Sequence, residues 1–205
     1  MQDAEFWSKM APRYARAKIG DMDGYSRSLE QIKPVLRGAR VLELGCGTGL
    51  TAMSLAPHAE SYTASDIAPG MIEIAKGRLA AQPMANLTFQ VAQAEDFGPE
   101  QFDVVLAQNY LHLLRDLPGT LAHVHRLLPE GGVFISKTPC LGAAPFYIRW
   151  LVPVLQAVGK APYLTMVTAT DLEQALRQAG FACDPTEWHA SRGRDLRAFI
   201  VARKV

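Results

Sequence analysis

Residues 41–49 (VLELGCGTG) combine a short apolar run with three glycines at every second position. Because glycine has no side chain, the backbone of such a segment can turn tightly and approach a ligand closely. The helix predicted after Gly49 would present unpaired N–H groups and the positive end of its dipole to that ligand. This pattern predicts a binding site for a ligand that carries phosphate or carboxylate groups.

Two acidic residues accompany the glycine turn. Asp66 lies 17 residues after Gly49, at the end of the next predicted strand, where a carboxylate can accept hydrogen bonds from both hydroxyl groups of a ribose. Glu43 lies just inside the end of a central strand, where a buried charge costs free energy unless it is paired. Its expected partner is a cationic amino group of the ligand or the N–H groups of the glycine turn. A purely structural role in bracing the turn stays open.

His112 is the candidate for proton transfer. It follows the fourth predicted strand by a few residues, and a histidine ring titrates near neutral pH, so it could accept a proton from a reacting group. A histidine packed under the next helix would give the same sequence pattern. At the end of the fifth predicted strand, Lys137 and Thr138 could bind an anionic substrate.

Short apolar runs that alternate with helices must position these residues. Strands are predicted at 40–44, 61–65, 87–91, 102–107, 133–137, 181–183 and 197–202. Helices are predicted near 4–11, 24–32, 50–56, 117–128 and 170–179, with another that opens at Pro69. Thr170 and Glu173 have the spacing of a capping box. This alternation predicts an α/β fold with a doubly wound, mostly parallel seven-stranded sheet and an antiparallel last strand.

Two segments flank this core, and we expect one domain over residues 1–205 that includes both. Cap helices are expected at 1–33, and Tyr14 and Tyr25 are among their aromatic residues. A lid insertion is expected at 141–168, where residues 146–155 (FYIRWLVPVL) are more apolar than one helix face requires. Three side chains of this stretch are predicted to wall a substrate pocket: Phe146, Tyr147 and Trp150. Packing within the protein core and peripheral contact with a membrane remain alternatives for residues 146–155.

Composition excludes several classes of protein. The 205 residues carry 21 Lys and Arg against 20 Asp and Glu, a formal net charge of +1, so no broad basic surface for nucleic acid is expected. No apolar run reaches the roughly 20 residues that span a bilayer. The N-terminus, MQDAEFWSKM, lacks the features of a secretory signal, and a cytoplasmic location is therefore expected. Three widely spaced cysteines provide neither a disulfide framework nor a CxxC motif, and no metal site is predicted.

The run VLELGCGTG, followed by Asp66, resembles the first motif and the next acidic strand end of class I S-adenosylmethionine-dependent methyltransferases. Three later stretches are also similar to that family: residues 94–97 (AEDF), 102–109 (FDVVLAQN) and 126–132 (RLLPEGG). Together these motifs are specific, although each alone is weak. The resemblance implies a Rossmann-like methyltransferase fold and S-adenosylmethionine as the cofactor.

The resemblance also implies roles for individual residues. Asp66 would bind the ribose, Ile67 would pack on the adenine, and Gln108 would face the methionine part of the cofactor. The glycines would let the backbone approach that part. Gln93 stands where many family members have an aspartate, and its amide would make a weaker, neutral contact with the adenine. The complete expected cofactor site comprises Tyr14, Glu43, Gly45, Cys46, Gly47, Gly49, Asp66, Ile67, Gln93, Ala94, Glu95 and Gln108.

The implied activity is methyl transfer to a small or moderately apolar molecule by a monomer or a homodimer, without integral membrane contact. Oxygen, nitrogen, sulfur and carbon acceptors all stay open, and so does a module that binds the cofactor without catalysis. A nicotinamide dinucleotide is disfavoured, although residues 47–52 (GTGLTA) fit a loose dinucleotide pattern. Glu43 would repel a pyrophosphate, and the later motifs would be unexplained.

Overall fold

A seven-stranded sheet forms the centre of the protein. The computed structural model describes residues 2–144, 162–193 and 195–205. The strands are β1 (Arg40–Leu44), β2 (Ser61–Asp66), β3 (Leu87–Val91), β4 (Val104–Gln108), β5 (Val133–Pro139), β6 (Phe181–Cys183) and β7 (Arg197–Lys204). Their order across the sheet is β3-β2-β1-β4-β5-β7-β6.

Strands β1 to β5 are parallel, and β7 is antiparallel to both of its neighbours, β5 and β6. This arrangement confirms the predicted α/β fold, including the antiparallel last strand. The chain order reverses direction across the sheet at β1, which has β2 on one side and β4 on the other. In open α/β sheets, ligands bind at such a switch point, beyond the carboxyl ends of the strands.

Helices cover both faces of the sheet. They are α1 (Gln2–Arg16), α2 (Met22–Ile32), α3 (Leu50–Leu55), α4 (Pro69–Ala81), α5 (Leu117–Leu127) and α6 (Ala169–Gln178). Val41 of β1 lies in one apolar cluster with Ile32 and Leu55, whereas the next residue, Leu42, lies in a second cluster with Leu121. Because successive strand residues point to opposite faces, burial on both sides explains the continuous apolar run of β1.

Several predicted boundaries differ from the structure by one or more residues. Strand β4 begins two residues later than expected, at Val104, because Asp103 pairs with Arg40 at 2.8 Å at the edge of the strand. Helix α1 continues to Arg16, with Pro12 inside it. Helix α6 is capped by Thr168 and Asp171, whose side chains and backbone N–H groups bond reciprocally at 3.2 and 2.8 Å. The predicted Thr170–Glu173 capping box is therefore wrong.

Among the described residues, no helix is long and apolar enough to cross a membrane.

Candidate functional site

Two adjoining cavities open at the carboxyl ends of the parallel strands. The larger has a volume of about 540 Å³ and extends from the glycine turn to His112 and Tyr163. The smaller, of about 280 Å³, lies between the glycine turn, α2 and the end of β5. Five residues border both cavities: Tyr14, Gly45, Gly47, Gln108 and Asn109. One ligand with two chemically different halves could therefore occupy both.

The glycine turn forms the floor that the two cavities share. Gly45 has a φ of +67° and Gly47 a φ of +54°, in the left-handed region that favours glycine. A Cβ atom on Gly45 would come within 2.5 Å of the Tyr110 ring, so a side chain there would clash. At Gly47 the nearest atom, Cε1 of Tyr14, is 3.6 Å from an added Cβ, but the positive φ would still strain a larger residue.

Gly49 does not border either cavity, although the sequence grouped it with the other two glycines. It precedes α3 with a φ of +79°, and an added Cβ would clash with the Phe89 ring at 2.6 Å and with Ala75 at 2.9 Å. Gly49 therefore allows α3, α4 and β3 to pack closely. Cys46 lies between the other two glycines and borders the smaller cavity.

Asp66 connects the end of β2 to the glycine turn. Its Oδ2 atom accepts a 2.9 Å hydrogen bond from the Gly47 N–H, and Oδ1 accepts one of 2.9 Å from the Ala68 N–H. Burial raises the pKa of Asp66 and these two bonds oppose the rise. Each carboxylate oxygen keeps a second lone pair for a ligand hydroxyl. Asp66 and Ile67 both border the larger cavity.

Glu43 borders the smaller cavity but bonds to a residue that the sequence analysis did not identify. Its carboxylate accepts a 2.8 Å hydrogen bond from the hydroxyl of Tyr62, and both residues are only 1% exposed. The expected bonds to N–H groups of the glycine turn are not observed among the described contacts. Burial raises the pKa of Glu43 to about 7, the Tyr62 bond lowers it, and the Asp66 charge raises it.

The loop after β3 contributes Gln93 and Glu95 to the larger cavity, whereas Ala94 is fully buried and borders neither cavity. Gln93 also has a local structural role. It caps the short 3₁₀ helix Ala94–Asp96, because its side chain accepts from the Asp96 N–H while the Asp96 carboxylate accepts from the Gln93 N–H at 2.9 Å. The side-chain oxygen that was expected to meet an adenine amine therefore already has a partner.

The residue that follows β4 has an unusual backbone conformation. Asn109 has a φ of +55°, and its N–H donates a 2.8 Å hydrogen bond to the Lys137 carbonyl on β5. This left-handed conformation turns the chain so that Gln108 borders both cavities while Tyr110 packs over Gly45. Sequence reasoning missed Asn109 and Tyr110 as site residues. The available signal was weak, since asparagine merely tolerates this conformation better than most residues.

His112 borders the larger cavity within the 3₁₀ helix Leu111–Leu113. Its Nδ1 atom is buried and has no hydrogen-bond partner among the described residues. Burial lowers the pKa of His112 to about 4, so the ring is neutral at physiological pH. The Thr165 N–H donates to the His112 carbonyl at 2.7 Å, which attaches the segment that follows residue 161 to the cavity wall.

Helix α1 and Tyr163 both border the larger cavity. Arg115 donates to the Asp3 carboxylate at 3.1 and 3.2 Å, and its guanidinium lies 4.4 Å from the centre of the Tyr163 ring. The N-terminal residues thus border both cavities, through Asp3 and Trp7 in one and Tyr14 in both. The predicted substrate wall at Phe146, Tyr147 and Trp150 lies outside the described residues.

The chain matches the sequence profile of a known protein family. The sequence profile of that family, described as Methyltransferase domain, matches residues 10–186. This range includes the glycine turn, Asp66, His112 and the strands that position them.

Curated relatives carry methyltransferase names but differ in length. Malonyl-[acyl-carrier protein] O-methyltransferase of Paenibacillus sp. (strain JDR-2) is 32% identical over 155 residues, which cover 70% of this chain and 55% of the relative. Magnesium-protoporphyrin O-methyltransferase of Rhodobacter capsulatus is 40% identical over 83 residues, or 40% of this chain and 37% of the relative. Ubiquinone biosynthesis O-methyltransferase of Xanthomonas oryzae pv. oryzae is 30% identical over 176 residues, which cover 78% of this chain and 73% of the relative. The chain thus spans about half or less of the length of the first two relatives.

Solved structures share the fold. An S-adenosylmethionine-dependent methyltransferase from Mesorhizobium loti superposes with a TM-score of 0.72 at 22% identity, over 88% of this chain and 98% of that one. The [4+2]-cyclase SpnF superposes with a TM-score of 0.73 at 19% identity, over 89% of this chain and 80% of that one. At these identities the similarity establishes the fold alone.

Proposed function

This chain belongs to the methyltransferase-domain family, and on that premise we propose that it transfers a methyl group from S-adenosylmethionine to an oxygen atom of a small, largely apolar acceptor. The observation that carries the proposal is the position of a neutral, partly buried His112 in the same cavity as Gly45 and Asp66. Three relatives named as O-methyltransferases support oxygen as the accepting atom.

The chain's own residues fit the cofactor. A nucleoside fits the larger cavity, where Asp66 and Ile67 lie, and an amino-acid head group fits the smaller one beside Glu43. Gln108 borders both cavities, and its amide nitrogen is buried without a hydrogen-bond partner among the described residues. This N–H group could donate to the ligand. When bound, the cofactor supplies a methyl group activated by attachment to a positively charged sulfur.

The acceptor would occupy the part of the larger cavity around His112. Its apolar border is formed by Trp7, Leu113, Leu114 and Pro139. Such walls exclude water and favour a flat or aliphatic body over a strongly charged one, because burying an unpaired charge costs free energy. The proposed acceptor therefore presents one hydroxyl on an apolar skeleton.

His112 is proposed to accept the proton of that hydroxyl. Because its ring is neutral, one nitrogen can act as a hydrogen-bond acceptor for an O–H group, which positions the oxygen and takes its proton as the new bond forms. A carboxylate acceptor would instead require donors and would gain nothing from a base. The site thus favours a phenol or an alcohol as the acceptor class.

The proposed domain organisation has one catalytic domain with α1 and α2 as a cap and residues 141–168 as a lid. The finer acceptor preference would then depend partly on the lid. Phe146, Tyr147 and Trp150 remain proposed substrate contacts on this view.

The test uses S-adenosylmethionine with a carbon-13 methyl group and a panel of apolar phenols, alcohols, amines and thiols. We expect S-adenosylhomocysteine to form with hydroxyl acceptors, and the product's methyl resonance to have the chemical shift of an O-methyl group. Transfer to amines or thiols only would contradict the choice of oxygen. Cofactor binding without turnover of any acceptor would favour the alternative, a cofactor-binding module without catalysis.

A further inference from the structure

Lys137 of β5 is a buried lysine at the wall of the smaller cavity. The residue is 5% exposed, and its ammonium nitrogen donates to Ser28 Oγ at 2.6 Å and to the Gly24 carbonyl at 3.2 Å. Both acceptors are uncharged. An ammonium has three N–H donors, so these two bonds leave one donor for another partner.

No ion pair in the described part of the chain involves Lys137. The neighbouring cation, Arg197, is neutralised by Asp195 at 3.3 Å and by Asp21 at 3.9 Å. A buried charge without a counter-ion costs free energy, and the cost is removed when an anionic ligand completes the pair. Burial and then the charge of Arg197 lower the pKa of Lys137, and the charges of Asp195 and Asp21 only partly oppose this fall.

The other basic residues at this cavity have different roles. Arg78 donates to Thr48 O, Thr48 Oγ1 and the Ala15 carbonyl at 2.8, 3.0 and 3.4 Å, which fixes the glycine turn to the end of α1. Lys18 is exposed to solvent. Lys137 is therefore the buried cation best suited to bind an anion in this cavity.

Glu43 and Lys137 border the same cavity with opposite charges. They lie on β1 and β5, which are separated by β4 alone. Strands two positions apart are about 9–10 Å apart, and charge-assisted hydrogen bonds are about 2.8 Å long. Through β4 the register aligns Glu43 with Ile135, so Lys137 lies two residues further along the same face of β5. A single zwitterionic head group could lie between the two side chains, with its ammonium towards Glu43 and its carboxylate towards Lys137.

We infer that Lys137 binds the α-carboxylate of S-adenosylmethionine and selects a cofactor with an intact amino-acid head group. Ser28 and Gly24 position Lys137 through their hydrogen bonds, so that α2 and β5 together form this end of the site. The inference rests on the cofactor of the proposed function but is independent of the acceptor.

The test compares the binding of S-adenosylmethionine and decarboxylated S-adenosylmethionine by titration calorimetry, without any acceptor. The wild-type protein should bind the intact cofactor roughly 10- to 100-fold more tightly, the effect of one charge-assisted contact. Lys137→Met and Lys137→Gln should bind both ligands with similar affinity, close to that of the wild type for the decarboxylated form. Thermal melting confirms that each variant is folded.

Lys204→Met is the matched control. Lys204 lies on β7 with a side chain only 11% exposed, and its ammonium nitrogen donates to the Leu128 carbonyl at 2.9 Å, at the opposite end of the sheet from the cavities. This variant should keep the wild-type preference for the intact cofactor. Preservation of that preference in folded Lys137 variants would overturn the inference, and so would an equal loss of affinity for both ligands. Absence of S-adenosylmethionine binding by the wild type would instead overturn the cofactor on which the proposed function rests.

Discussion

Tyr62 and Glu43 form a hydrogen-bonded pair of 2.8 Å on one buried face of the sheet. The parallel register places Tyr62 opposite Val41 and Glu43 opposite Ala64, so both side chains lie on the same face of neighbouring strands. The pair holds a carboxyl group at the wall of the smaller cavity, and this carboxyl forms no ion pair with any residue that the structure describes. This arrangement keeps Glu43 easily protonated until a cationic ligand group arrives.

Cofactor affinity should therefore depend on pH through Glu43. Its pKa in the free protein is raised to about 7, so the carboxyl is mostly neutral below that pH and cannot pair with the cofactor ammonium. We expect the affinity to be nearly constant above pH 7 and to fall progressively as the pH is lowered below it. Calorimetric titrations between about pH 5 and 8.5 measure this dependence.

Two variants separate Glu43 from other titrating groups. Glu43→Gln should bind weakly at every pH and lose most of the dependence. Tyr62→Phe removes a bond that favours the ionised carboxylate, so the fall in affinity should begin at a higher pH. An unchanged profile in Tyr62→Phe would show that the pair does not control the ionisation of Glu43.

The stability of the ligand-free protein should also respond to this group. Because the folded-state pKa of Glu43 is raised above its ordinary value, the native state holds its proton more tightly than the unfolded state. Glu43 then contributes a loss of stability as the pH rises from about 4.5 to above 7. Glu43→Gln should remove this loss and raise the free energy of unfolding at pH 8 by on the order of 1–3 kcal/mol. Denaturant unfolding at pH 5 and pH 8 checks the sign.

His112 should affect turnover and leave cofactor binding nearly unchanged. His112→Ala is expected to lower kcat by roughly 10²-fold or more, the usual effect of a general base. Because the pKa of His112 is lowered to about 4, its ring stays neutral down to a pH well below the usual titration range of histidine. With saturating cofactor, kcat should therefore stay constant until the pH approaches that value and only then fall. A drop in kcat near pH 6.5 that disappears in the variant would contradict the neutral state of this partly buried ring.

Asp66 should matter for both the ligand and the glycine turn. Asp66→Asn keeps the size of the side chain but loses the charge that two backbone N–H groups bond to and that we propose also binds the ribose hydroxyls. We expect S-adenosylmethionine affinity to fall by roughly 1.5–3 kcal/mol, as for the loss of charge-assisted bonds. The same variant should weaken the binding of adenosine by a similar factor. A loss for the intact cofactor alone would place Asp66 at the methionine end.

The parts of the site that the sequence predicts best are those encoded by residue type and local spacing. Gly45 and Gly47 need positive φ angles, and Asp66 follows the next strand at a fixed distance, so their positions could be inferred without a structure. The mostly parallel sheet followed from the alternation of apolar runs and helices, whereas the order of the strands was not predicted.

What the sequence did not predict depends on contacts between distant segments. The Tyr62–Glu43 pair requires the register of β1 against β2, and a shift of one residue would point Tyr62 to the other face. Gly49 has the same local conformation as its neighbours, yet its packing against Phe89 is visible only in three dimensions. The pairing of Lys137 with Ser28 joins residues 109 positions apart.

Helix α1 has a consequence for the kinetics of ligand exchange. It extends from Asp3, which bonds to Arg115 beside the larger cavity, to Tyr14, which borders both cavities. A helix of 15 residues is about 22 Å long, so this one element reaches both cavities. A displacement of α1 would therefore open the nucleoside end and the acceptor end of the proposed site together. We expect the dissociation rates of the spent cofactor and of the methylated product to be correlated for this reason.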